Sequence, residues 1–75
     1  MRQPKLSRTI VWCLRSPVSQ IRCVIQPSMA KVELLLLQNG DVAVRDVFDR
    51  PEVARERAHY LRQRFLARGW QQVFR

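Results

Sequence analysis

The sequence predicts a small α+β fold. A β-hairpin over residues 31–48 precedes one C-terminal amphipathic helix, a β-β-α order with room for a short last strand, and a basic N-terminal extension able to add a hairpin comes first. Three observations lead there. Asn39-Gly40 separates two apolar runs of similar length. Beyond them Ala54, Ala58, Leu61 and Phe65 recur at helical spacing. All six acids lie after residue 32, so composition changes where the hairpin begins.

The hairpin reads Lys31-Val32-Glu33-Leu34-Leu35-Leu36-Leu37-Gln38, then Asn39-Gly40, then Asp41-Val42-Ala43-Val44-Arg45-Asp46-Val47-Phe48. Asn-Gly suits a two-residue turn because both central residues need positive φ to match the twist of the strands. In uninterrupted register Leu36 faces Ala43 and Leu34 faces Arg45. One face then holds Val32, Leu34, Leu36, Ala43 and Val47. The other holds Leu35, Leu37, Val42 and Val44, with Glu33 and Asp46 opposed at its far end.

The helix is expected to start at Asp49-Arg50-Pro51-Glu52. Asp49 serves as N-cap, Glu52 completes a capping box three residues later, and Pro51 loses no helical bond in the first turn. Gly69 supplies the left-handed position that ends a helix. Trp70 to Phe74 are expected to form a short third strand or a docked tail. One helix covers one face of a two-stranded sheet. This hairpin is apolar on both faces, and such a sheet is marginal alone in water. The second face therefore predicts a homodimer, with Leu35, Leu37, Val42 and Val44 as its self-association surface.

Seventy-five residues make one compact unit. The expected division is a basic extension over residues 1–29 and a β-β-α domain over residues 30–75. The extension carries Arg2, Lys5, Arg8, Arg15 and Arg22, and no acid. Thr9–Leu14 and Gln20–Ile25 are β-prone, with turn composition between them. An acid-free, Arg- and Ser-bearing start also has the character of a transit peptide, or of translated upstream sequence before a start at Met29. Cys13 and Cys23 lack the paired spacing of a zinc site, which predicts reduced thiols and a cytoplasmic protein. No apolar run approaches the ~20 residues that span a bilayer.

Nothing in the sequence signals an enzyme. Glycine-rich phosphate loops, HExxH, GxSxG and CxxC are absent. His59, the only histidine, has no evident partner and reads as a solvated helix residue. Asp49 and Glu52 already have capping roles. No cofactor, metal or small-molecule ligand is expected. Two binding classes remain. The first is a non-enzymatic interaction module that self-associates through the apolar hairpin face. The second is a small basic nucleic-acid binder using Arg55, Arg57, Arg62, Arg64 and Arg68 with the N-terminal basic residues. The formal charge of +8 favours polyanions by Coulomb attraction. Against it, arginine stems also lie along apolar surface simply to keep their heads wet.

Overall fold

The computed structural model describes residues 8–73. Five strands and one helix follow in the order β1 (Thr9–Arg15), β2 (Gln20–Ser28), β3 (Lys31–Gln38), β4 (Asp41–Phe48), α1 (Pro51–Ala67) and β5 (Gln71–Gln72). All pairings are antiparallel, and the sheet order is β4-β3-β2-β1-β5. The first four strands form a meander. The helix carries the chain back across one face so that β5 joins the far edge beside β1.

This corrects the expected hairpin-plus-helix fold. The architecture is a five-stranded antiparallel sheet with one helix on it, and the β-prone segments of the basic extension are its strands β1 and β2. The reason is burial. Val32, Leu34 and Leu36 on β3 leave most of a helix uncovered. Trp12 and Leu14 on β1 and Ile21, Cys23 and Ile25 on β2 complete the surface against which Ala54, Ala58, Leu61, Phe65 and Leu66 pack. β2 and β3 pair over eight rungs, from Ile21–Gln38 to Ser28–Lys31.

The turn at Asn39-Gly40 has φ of +52° and +93°, as a two-residue hairpin with right-handed strand twist requires. The register beyond it is not uninterrupted. Leu37 pairs with Val42 but Leu36 pairs with Val44, so Ala43 is an extra residue, a β-bulge on the edge strand. One extra residue exchanges the faces of everything after it. Val44, Asp46 and Phe48 therefore turn to the helix side, and Arg45 and Val47 turn to the other. The expected opposition of Glu33 and Asp46 does not occur: Glu33 faces Val47, and Asp46 faces Leu34. A second irregularity lies between Ile10 and Trp12 on β1.

The helix start also differs from expectation. Arg50 occupies the N-cap in extended conformation without a side-chain cap bond, and Pro51 follows. Asp49 instead pairs with Lys31 across the end of the sheet. That bond and the Lys31 charge hold its carboxyl below the usual range. This contribution to stability is present above the unfolded pKa and is lost as pH falls through the lowered one. The helix ends as Gly69 demands. At φ +99° it lets Gly69 N–H reach the Leu66 carbonyl and Trp70 N–H reach the Phe65 carbonyl.

Helix and sheet meet closely because Ala54 and Ala58 are the contact residues, both fully buried. That approach lets Trp12 Nε1–H donate to the Ala58 carbonyl oxygen at 2.8 Å. The Phe65 ring sits 6.1 Å from Trp12 and 5.5 Å, edge-on, from Trp70. Trp12→Phe removes the bond while keeping most of the ring, and should lower unfolding free energy in urea by about 1–2 kcal/mol. An unchanged midpoint would show that this bond carries nothing.

Candidate nucleic-acid interface

The helix presents two unlike flanks. Arg55 and Arg62 lie on the flank toward β5, where Arg62 Nε donates to Gln72 Oε1 at 2.9 Å. Gln72 in turn donates to the Cys13 carbonyl, so Arg62 is partly occupied in holding β5 to the sheet. Arg57, Arg64 and Arg68 lie on the other flank, and Tyr60 stands among them at i+3 from Arg57 and i−4 from Arg64.

The Tyr60 ring is half exposed. The Arg57 guanidinium lies 5.1 Å from its centroid and that of Arg64 5.7 Å, both within cation–π range. Arg64 Nη1 also donates to the phenolic oxygen at 2.9 Å. That bond and the Arg64 charge lower the Tyr60 pKa, with Arg57 adding to the effect. The ring holds two like charges in place on the surface of one helix, which free side chains in water would not do. Beside them, Leu61, Phe65, Arg64 and Arg68 line a small cleft of about 90 Å³.

Among the described residues, none of these guanidiniums has a carboxylate partner. Among the described residues there are two ion pairs, Lys31–Asp49 and Arg45–Glu33, and neither involves the helix. Arg57, Arg64 and Arg68 all remain exposed. This flank therefore carries uncompensated positive charge with an aromatic at its centre. The arginines were named from the sequence; the place of Tyr60 among them comes from the structure. The capture of Arg62 by Gln72 had no sequence signal, because it depends on β5 pairing beside β1.

The remaining candidates separate. On the sheet face away from the helix, Val24, Leu35 and Leu37 form a second buried cluster, each at most 7% exposed. Val42 joins this face and is 53% exposed, as does Val47 at 52%. Val44 does not, since the bulge turns it to the helix side opposite Leu36. Glu33 is buried there, accepting from Gln26 Nε2 at 2.8 Å and pairing with Arg45 Nε at 3.2 Å. His59 is exposed on the helix, away from Glu33 and Asp46. Among the described residues, no three His, Cys, Asp or Glu side chains converge as metal ligands. No helix there is long and apolar enough to cross a membrane. Cys13 and Cys23 are free thiols on opposite sheet faces, and burial pushes the Cys23 thiol up to about 12.

Tyr60 is the only tyrosine, so its ionisation can be followed by ultraviolet difference absorbance without interference from another phenol. Its midpoint should fall below that of free tyrosine, and Arg64→Ala should raise it. A midpoint indifferent to Arg64 would mean that the two side chains do not associate in solution. The chain matches no protein-family model, no curated protein and no solved structure.

Proposed function

We propose that this protein is a small, non-enzymatic nucleic-acid-binding module that meets phosphates with the Arg57–Tyr60–Arg64–Arg68 flank of its helix. One observation carries this reading: the flank has three exposed guanidiniums, no acid among them and, among the described residues, no carboxylate paired to any of them. Arginines that merely solubilise a helix are commonly interleaved with acids at i±4, where each pair gains a few tenths of a kcal/mol. Here the acids Glu52 and Glu56 lie toward the helix start and pair with none of the three. Tyr60 offers a surface for a base, alongside the two guanidiniums already over its ring. Arg55 and Arg62, on the opposite flank, are outside this surface. Two reduced thiols suit a cytoplasmic setting.

Fluorescence anisotropy with a labelled single-stranded oligonucleotide tests the proposal. Three phosphate contacts should give a slope of log affinity against log salt of about −2. The double substitution Arg57→Ala, Arg64→Ala should weaken binding by about tenfold or more and flatten the slope by about 1.5. Gln63→Ala should change neither. Binding that ignores salt, or that survives the double substitution, would falsify the assignment.

A second reading rests on a different observation. Ile10, Val42 and Val47 are each more than half exposed beside the Val24–Leu35–Leu37 cluster. Two copies stacking these faces about a two-fold axis would cover them. Leu35 and Leu37 are already nearly inaccessible, so Val42 and Val47 are the positions to change. Val42→Lys with Val47→Lys should leave the circular dichroism spectrum intact while abolishing concentration-dependent association in sedimentation. A native chain that sediments as a monomer at high micromolar concentration dismisses this reading.

A further inference from the structure

We infer that the end of the sheet bearing the β1–β2 and β3–β4 turns holds a binding site for a small phosphomonoester, built on Arg15 and Arg22 and separate from the helix arginines. The ligand class is a phosphate carried on a small polar body, of which a nucleoside 5′-monophosphate is the working example. This site does not rest on the nucleic-acid reading of the helix.

Two clefts lie here, on either side of the rung that pairs Arg15 with Gln20. The larger, about 430 Å³, is lined by Arg15, Ser16, Pro17, Gly69 and Gln71. That volume falls within the usual range for small-molecule sites. The smaller, about 210 Å³, is lined by Gln20, Arg22, Leu37, Asn39 and Gly40. Arg22 pairs with Cys13, two positions along from the Arg15 rung. Arg15 and Arg22 are therefore diagonal neighbours on adjacent strands and on the same sheet face, where long side chains reach one another. Gln71 lies across from Arg15 on β5.

Charge and free valence both favour an anion. Neither guanidinium has a carboxylate partner among the described residues, and the Gln71 carboxamide makes no hydrogen bond to any of them. The first 32 residues, which supply both arginines, contain no acid. Guanidinium groups are suited to phosphate oxygens because their planar N–H donors engage two at once. The Gln71 carboxamide can donate to, or accept from, the body attached to the phosphate.

The rim is also fixed in place, which lowers the ordering cost of binding. The β1–β2 turn is stapled to the β3–β4 turn. Gln20 N–H donates to Asn39 Oδ1 at 3.0 Å, and Asn39 N–H donates to the Gln20 carbonyl at 2.9 Å. The side-chain amides of Gln38 and Asn39 both donate to Ser19 Oγ, at 3.1 and 3.2 Å. Within the β1–β2 turn, Ser16 N–H closes on the Ser19 carbonyl at 2.8 Å. These bonds hold the strand ends from which Arg15 and Arg22 project.

Thermal unfolding of the full chain at low salt tests the site. Adenosine 5′-monophosphate at about 5 mM should raise the midpoint by a few degrees, and adenosine should not. Arg15→Ala with Arg22→Ala should weaken the nucleotide by about tenfold or more, whereas Gln63→Ala should leave it unchanged. The adenosine comparison uses the native chain and stands even if a variant fails to fold. No nucleotide-dependent shift in the native chain overturns the proposal. So does an equal shift from adenosine, or an affinity that Arg15→Ala with Arg22→Ala leaves as it was.

Discussion

The close contact between Ala54, Ala58 and the sheet determines the rest of the molecule. Two residues without long side chains let the helix backbone come near enough for the Trp12 indole to bond a helix carbonyl. Phe65 and Trp70 then close around the indole at the other end. A larger residue at either alanine would lift the helix and forfeit that bond, and overpacking of such a site costs about 1–3 kcal/mol. The same contact sets the rotation of the helix. With the alanine stripe down, Arg62 reaches β5 and Arg57, Tyr60 and Arg64 face solvent. Packing and the candidate interface are consequences of one helical phase.

The sheet has two differently used faces. Its helix side is a conventional core of aliphatic and aromatic residues. Its other side combines a small apolar cluster with a Glu33–Arg45–Gln26 network and the exposed valines of β4. The bulge at Ala43 governs that division. It sets Val47 opposite Glu33, where an uninterrupted strand would have set a second carboxylate, and turns Arg45 to the same face, so a buried acid gains a partner rather than a repulsion. It also lies on an edge strand, where irregularity and charge discourage sheet-to-sheet addition. Asp41, Arg45 and Asp46 contribute to that protection.

Among the described residues, the arginines of the helix flank and of the turn end of the sheet have no carboxylate partner. Like charges held close destabilise a folded chain by self-repulsion. On the helix the Tyr60 ring offsets part of this through its π-face. At the sheet end hydrogen-bonded turns hold the strands from which the arginines extend. In both places a polyanion or phosphate would relieve the repulsion that the fold tolerates.

Much of the local structure was legible in the sequence. The Asn39-Gly40 turn, the Ala54–Phe65 stripe, the stop at Gly69 and the two arginine flanks follow from φ preference and helical periodicity, which act within a few residues. The sheet's extent was not legible. Trp12, Leu14, Ile21, Cys23 and Ile25 sit among basic residues in a segment whose charge suggested an extension, and their value appears only when a helix some 40 residues later needs a floor. The bulge, the Lys31–Asp49 pair that displaced the expected cap, and the Arg62–Gln72 bond are decided by partners distant in sequence. Local chemistry determined where this chain turns and coils. Tertiary packing decided how many strands share one core, and which side of the sheet each residue after Ala43 would face.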